Sequence, residues 1–149
     1  MLAAAERVDE GLAECVRRLG EAFREPAELL VDYTRLFVGP SAVFTRPYGS
    51  VWARGDMSDL PALYSEAGFE IDESFRDLPD HIAAELEFLY LLVHQDSPAD
   101  LRRRFVREHL RKWVPAFAEA VHTGAETEFY RQLAQLTARL VALEARRVV

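Results

Sequence analysis

The apolar side chains of this chain recur every three or four residues along most of its length, which is the spacing of amphipathic helices. The boundaries are indicated by N-capping serines at Ser58 and Ser97 and by stop signals at Gly39-Pro40, Gly68, Pro115 and Thr123-Gly124. No segment alternates convincingly as a strand would. The pattern predicts an all-α fold of six or seven helices, in one domain over residues 1–149. The predicted helices span residues 3–24, 27–38, 59–67, 98–110 and about 125–147, besides a central one and a piece that restarts at Pro115 and ends at Thr123-Gly124.

The most apolar stretch, Leu78 to Val93, is predicted to be this central helix, with Pro79 in its first turn because proline has a fixed φ and no N–H. From Ile82 onward apolar residues lie all round the axis, which is typical of a helix buried on every side. The carboxylate of Asp80 would face the positive end of the helix dipole. Asp80 and His81 would then lie at the mouth of the helix, where a ligand can reach them.

Residues 40–57 show no helical period and are predicted to form a long loop. A loop of this length inside a small domain is usually functional or disordered. Phe44, Tyr48, Val51 and Trp52 make this loop too apolar for a disordered linker. Packing into the core is the simpler explanation for Trp52, and the alternative is an apolar wall that holds a bound peptide.

Composition and charge argue against several classes of protein. Half of the 149 residues are hydrophobic and 29% are charged, as in ordinary globular domains. The net charge of −7 argues against nucleic-acid binding and permits a basic partner. Cys15, the single cysteine, is consistent with the reducing cytoplasm. No apolar run approaches the ~20 residues of a membrane span, and Glu6, Asp9 and Glu10 interrupt any secretory leader.

The connector before the central helix is acidic. A run of charge is more often a solvated surface than a site. Because this run lies beside the aromatic loop and beside Asp80-His81, a landing site for a cationic peptide is an equally good interpretation. Six carboxylates stand against Arg76 alone: Glu66, Glu70, Asp72, Glu73, Asp77 and Asp80.

Motifs that would indicate catalysis are missing from the sequence. It has no phosphate-binding or dinucleotide-binding glycine pattern and no Gly-x-Ser-x-Gly elbow. One Glu-x-x-His spacing, Glu119 to His122, is too little for a di-iron site. We therefore predict a protein that is not an enzyme, with no catalytic residue, metal or cofactor. The alternatives are a small metal-dependent helical enzyme and a purely structural helical subunit; the enzyme would use His81, Asp80, Glu85 and His122.

Four ordered blocks of the sequence resemble the TorD/DmsD family of redox-enzyme maturation chaperones. The match runs from about residue 30 to the end, and four blocks in order are far more specific than any one of them. The blocks are Tyr33-Thr34-Arg35-Leu36-Phe37-Val38-Gly39-Pro40, Pro47-Tyr48-Gly49-Ser50-Val51-Trp52, Leu78 to Phe88, and the C-terminal group His109-Leu110, Trp113, Pro115, Phe117 and Phe129 to Ala134.

The resemblance implies an all-helical cytoplasmic chaperone. It would bind the twin-arginine signal peptide of a molybdopterin oxidoreductase subunit, or the apo-form of that subunit, and assist its maturation before export. The family's peptide-binding elements are the loop and the Pro-Asp-His motif, and the acidic connector would add carboxylates for the two guanidinium groups. The predicted peptide-binding residues are Pro47, Tyr48, Gly49, Ser50, Val51, Trp52, Glu70, Asp72, Glu73, Asp77, Pro79, Asp80 and His81.

One departure from the family concerns the N-terminus. Only about thirty residues precede the Tyr33 block, whereas family members usually have a longer helical region there. A central helix that is apolar all round would then lack part of its cover, and an apolar patch beyond a few hundred Å² usually marks an interface. We therefore expect a homodimer, or a helix exchanged between chains through the N-terminal region.

Overall fold

Helices form nearly all the regular structure of the chain in the computed structural model. The structure describes residues 2–23, 25–40, 45–53, 59–95 and 97–148. Two stretches have π-helical hydrogen bonding and continue the helices before them, Thr34–Val38 after α3 and Arg104–Leu110 after α7. The α-helices are α1 (Leu2–Glu6), α2 (Glu10–Ala22), α3 (Pro26–Tyr33), α4 (Gly49–Trp52), α5 (Leu60–Glu66), α6 (Ile82–His94), α7 (Ala99–Arg103), α8 (Arg111–Gly124) and α9 (Glu128–Arg147).

The all-α class predicted from the sequence is confirmed. In the ranges that the structure describes there is no β-strand, and the one β-type pairing is an isolated antiparallel bridge between Tyr48 and His81. None of the helices within those ranges is both long and apolar enough to cross a membrane.

The first compact unit comprises Met1–Arg46 and Pro115–Leu140. Its aromatic core surrounds Phe37, whose ring centroid lies 6.4 Å from that of Phe117 and 5.9 Å from that of Tyr130. Leu36, beside Phe37, is fully buried. Phe37 lies in the π-helical continuation of α3, and Phe117 and Tyr130 lie in α8 and α9, so this continuation packs against both later helices within this unit.

A buried carboxylate, Asp32, ties α3 to the start of α9 in the first unit. Only 1% of Asp32 is exposed. Its Oδ2 accepts hydrogen bonds from the amide of Thr127 at 2.8 Å, from the Thr127 hydroxyl at 2.7 Å and from the amide of Glu126 at 3.1 Å. The Arg35 guanidinium donates to Asp32 at 2.8 Å and to the Gly124 carbonyl at 2.5 Å. Burial opposes ionisation, but these donors outweigh it and lower the pKa of Asp32.

The second compact unit comprises Pro47–Val114 and Val141–Val149. Its core centres on Phe88 of α6, whose ring centroid lies 4.7 Å from that of Tyr64 and 4.7 Å from that of Phe105. Phe88, Phe105 and Trp113 are fully buried. All the residues of the predicted peptide site belong to this unit.

The start of the central helix differs from the prediction. Pro79 and Asp80 lie in a turn before α6, and the helix begins at Ile82 with His81 as its N-cap. His81 has extended backbone angles (φ −68°, ψ 137°) because it pairs with Tyr48 in the β-bridge. The backbone of Asp80 is likewise engaged by the loop, so the helical geometry cannot extend back to Pro79.

The predicted burial of α6 on every side is also wrong. Ala84, Glu85, Phe88, Leu89 and Leu92 are buried, but Tyr90 is 65% exposed and Val93 is 43% exposed. Exposed apolar side chains such as Tyr90 and Val93 could be covered by a second copy of the chain. The homodimer expected from the sequence stays a prediction.

Several other boundaries differ from the sequence-based ones. The first predicted helix is two helices, because Asp9 caps α2 by accepting the amide of Leu12 at 2.8 Å. Part of the predicted loop is helical, as α4. Pro115 lies inside α8 without ending it, since one lost backbone hydrogen bond kinks a helix more readily than it breaks it.

The N-cap predicted at Ser97 is wrong, because the residue at the start of α7 is Pro98, without a side-chain capping hydrogen bond. Gly68 ends α5 in the left-handed region with φ 66°, as expected of a C-terminal glycine. Phe44 and the N-cap Ser58 lie outside the described residues.

Candidate functional site

The loop and the Pro-Asp-His motif are joined through their backbones. The amide of Ile82 donates to the carbonyl of Pro47 at 2.8 Å, and the amide of Gly49 donates to the carbonyl of Asp80 at 2.9 Å. These two bonds flank the Tyr48–His81 bridge. Two segments more than thirty residues apart in the sequence therefore form one continuous surface.

Asp80 supports this surface from within. It is 9% exposed, and its Oδ2 accepts the amide of Ser50 at 2.8 Å. Ser50 lies in the first turn of α4, so Asp80 caps α4 and not α6, which corrects the expected role at the α6 dipole. Asp80 thus holds the loop in place, and its carboxylate faces α4 more than solvent.

His81 is partly buried between aromatic rings. Its ring centroid lies 5.4 Å from that of Tyr48 and 5.9 Å from that of Phe75. Its Nδ1 accepts the amide of Ala83 at 3.1 Å, which requires the lone pair of a neutral imidazole. Burial lowers the pKa of His81, although Asp77 and Asp80 oppose this effect. His81 is therefore a neutral N-cap near pH 7.

Two apolar side chains project from the joined segments. Val51 is 53% exposed and follows Ser50, and Leu78 is 55% exposed and precedes Pro79. Tyr48 and Trp52 are half-buried, so each has both a packed side and an accessible side. An apolar ligand would meet Val51 and Leu78 first.

The acidic connector is only partly available to a ligand. Glu66 forms a two-pronged ion pair with Arg104, at 2.5 and 2.6 Å, and Asp80 is buried. The remaining carboxylates are exposed: Glu70, Asp72, Glu73 and Asp77.

Two of the exposed carboxylates are held as anions. A hydrogen bond from the Tyr48 hydroxyl lowers the pKa of Asp77, which also lies 3.9 Å from the His81 ring nitrogen Nε2. Hydrogen bonds from Ser74 lower the pKa of Asp72. Both groups therefore carry their negative charge at neutral pH, and Asp77 carries it directly beside the loop.

Beside the motif lies an apolar depression that the sequence analysis did not identify, here called the connector groove. Its volume is about 380 Å³. The signals that point to it are the aromatic residues Tyr64 and Phe69 on either side of Gly68, where the chain turns back at the end of α5. The residues that line it are Pro61, Tyr64, Ser65, Gly68, Phe69, Glu70, Ile71 and Pro79.

Deeper in the second unit, a buried carboxylate binds two ring nitrogens. Glu85 of α6 is 0% exposed, and its Oε2 lies 2.9 Å from Nε2 of His109 and accepts from Nε1 of Trp113 at 3.2 Å. Burial raises the pKa of Glu85, and the hydrogen bond with His109 opposes this increase. The cluster joins α6 to the π-helical segment and to α8 within the second unit.

The residues of the alternative metal-site hypothesis do not form a ligand set. Across the described ranges, no group of three or more His, Cys, Asp or Glu side chains could hold a metal ion. Glu85 faces His109 and Trp113, Asp80 faces Ser50, and His122 contacts Gln135 at 2.9 Å. This arrangement gives no support to a metal-dependent enzyme.

The candidate site is thus an open surface on two joined segments of an all-α chain. A model of the family described as "Nitrate reductase delta subunit" matches residues 5–119, and the chain belongs to this family.

Similar proteins carry the name "Chaperone protein TorD". The protein of Vibrio parahaemolyticus is 27% identical over an alignment of 153 positions that covers 91% of this chain and 71% of that protein. That of Photobacterium profundum is 29% identical over 135 aligned positions, which cover 79% of this chain and 62% of that protein. That of Shigella boydii serotype 18 is 33% identical over 137 aligned positions, which cover 87% of this chain and 68% of that protein.

These similarities confirm the resemblance to the TorD/DmsD family. Since the relatives are named as chaperones, which is a non-enzymatic role, they also support the prediction that this chain is not an enzyme.

Proposed function

We propose that this chain is a cytoplasmic chaperone that binds the twin-arginine signal peptide, or the apo-form, of a molybdopterin oxidoreductase subunit and assists its maturation before export. The observation that carries the proposal is that the joined segments expose apolar side chains beside ionised carboxylates. Family membership and the TorD relatives support the chaperone role.

The charges of the surface suit the arginine pair of such a peptide. A guanidinium group binds carboxylates through paired N–H donors. Glu70, Asp72, Glu73 and Asp77 are exposed, and Arg76 is the single cation in the same connector. Two adjacent arginines would therefore find anions on a short stretch of chain.

The apolar side chains suit the segment that follows the arginines. Val51 and Leu78 are both exposed, and each lies within two residues of the Ser50–Asp80 hydrogen bond that joins the loop to the motif. Covering them removes apolar area from water, which is the main favourable contribution to most protein associations. In this proposal the connector carboxylates meet the arginine pair, and Val51 and Leu78 meet the apolar segment that follows it.

The surface is also held in place before any ligand arrives. The bonds between Ile82 and Pro47, Gly49 and Asp80, and Ser50 and Asp80 fix the loop against the motif. A preorganised surface loses less conformational entropy on binding than a mobile one. In this proposal Asp80 acts by positioning the loop, while Asp77, Val51 and Leu78 make the contacts.

We expect the affinity for a twin-arginine leader peptide to fall as the salt concentration rises. The Debye length shrinks from ~10 Å at 0.1 M salt to ~3 Å at 1 M, so exposed guanidinium–carboxylate pairs are screened. For two such pairs the dissociation constant should increase about two- to thirtyfold. Fluorescence anisotropy of a labelled peptide, titrated with the purified chain at both salt concentrations, measures this change.

The melting temperature, recorded at the same two salt concentrations, controls for unfolding. A dissociation constant that stays constant while the chain remains folded would show that the carboxylates do not take part. Binding would then be driven by the apolar segment alone.

A further inference from the structure

The connector groove has an apolar, preformed floor. The centroid of the Tyr64 ring lies 4.9 Å from that of Phe69 and 4.7 Å from that of Phe88, in edge-to-face geometry. The Tyr64 hydroxyl donates to the Pro79 carbonyl at 2.8 Å, so its polar atom is satisfied. The floor therefore presents carbon atoms to the groove and needs no rearrangement to accept a ligand.

The groove is also continuous with the proposed peptide surface. Pro79 belongs both to the lining of the groove and to the Pro-Asp-His motif. Its neighbour Leu78 is one of the two exposed apolar side chains of that surface. Because Leu78 directly precedes Pro79, a peptide that covers Leu78 also lies next to the groove.

The rim of the groove carries negative charge. Glu70 lines it, and Ile71, which also lines it, is followed directly by Asp72 and Glu73. An apolar seat with one carboxylate in its lining and two exposed carboxylates next in the chain is complementary to an apolar side chain that is close in sequence to cations. Its volume of about 380 Å³ lies within the range of sites that take small ligands.

We propose that the connector groove seats an apolar side chain of the segment that follows the two arginines in the leader peptide. The inference rests on the proposed function and adds a specificity site to it. Carboxylates select the arginine pair, and the groove selects a bulky apolar residue at a fixed distance from that pair.

Filling the groove tests this inference. Ser65 is exposed on α5 and lines the groove, so Ser65→Phe should occupy the space that the peptide side chain needs. Ala62 is exposed on the same helix but lines a different cavity, so Ala62→Phe adds the same ring elsewhere. We expect Ser65→Phe to weaken the binding of a labelled peptide with two arginines and a leucine-rich segment about tenfold or more, and Ala62→Phe to leave it unchanged.

A second variant avoids dependence on one bulky substitution. Ile71→Ser removes an apolar wall without adding charge, and it should weaken binding of the same peptide. A peptide whose leucines are replaced by serine should bind the wild type more weakly. Ser65→Phe should then cause little additional loss of affinity for this peptide, because both changes remove the same contact.

The outcomes separate the two proposals. If the wild type binds the peptide, and Ser65→Phe and Ile71→Ser bind it equally well, the groove inference is wrong while the proposed function stands. If the wild type does not bind the peptide at all, the groove inference and the peptide-binding part of the proposed function are both wrong. Circular dichroism of each variant establishes that it is folded.

Discussion

Replacing Glu85 with alanine is expected to lower the free energy of unfolding by about 3–5 kcal/mol, the scale of breaking a buried polar pair from one side. Glu85 is 0% exposed, and its Oε2 serves both His109 and Trp113. Without it, the ring nitrogens of His109 and Trp113 lose this acceptor and a cavity remains in the core of the second unit. Denaturant unfolding of wild type and Glu85→Ala measures the difference.

Two further variants make the result specific. Glu87→Ala changes an exposed carboxylate on the same helix, and its effect should be small. Glu85→Gln keeps one oxygen acceptor for the ring nitrogens, and it should lose less stability than Glu85→Ala. If Glu85→Ala were no more destabilising than Glu87→Ala, the buried cluster would have no structural role.

Replacing Asp32 with alanine is expected to lower the free energy of unfolding by about 2–3 kcal/mol. The carboxylate is buried and accepts from both backbone and side chain of Thr127, from Glu126 and from Arg35. Its loss would release the two residues that precede α9 and would leave the Arg35 guanidinium with the exposed carboxylate of Glu126, 3.2 Å from its Nε, as its remaining ion pair. The matched control is Glu28→Ala, an exposed carboxylate on the same helix, and denaturant unfolding at pH 7 compares the two.

The pH dependence of the Asp32 effect has a definite sign. The pKa of Asp32 is lower in the folded chain than its ordinary value of 3.8. Its contribution is therefore fully present above that ordinary pKa and is lost as the pH falls through the lowered value. The stability difference between wild type and Asp32→Asn should be constant from pH 7 to about pH 5 and shrink below pH 3.8. A difference that grew on acidification would contradict the assigned ionisation.

Local sequence signals predicted most of the helices because their causes lie within a few residues. Apolar spacing placed α3 and α9 to within a few residues, and Gly68 ended α5 through its own backbone conformation. The prediction failed where a distant partner decides the local geometry. Pro79 favours a helix start, but the loop engages Asp80 and His81 across some thirty residues and moves the start of α6 to Ile82.

The same distinction applies to the candidate site. The family-like blocks placed the loop and the motif in one site, and the structure brings them together. The sequence did not reveal that Asp80 supports the loop from within, because its partner Ser50 is 30 positions away. The connector groove also escaped notice, since its walls come from α5, the connector and Pro79.

The central claim is that this chain binds a twin-arginine leader through its arginines as well as its apolar segment. Two labelled peptides that differ only in Arg-Arg or Gln-Gln, titrated into the wild-type chain at low salt, test it directly. We predict that the Arg-Arg peptide binds and that the Gln-Gln peptide binds at least about tenfold more weakly, because the connector carboxylates lose their partners. Equal affinity for the two peptides, or no binding of either, would contradict the claim, and the latter result would favour a purely structural subunit.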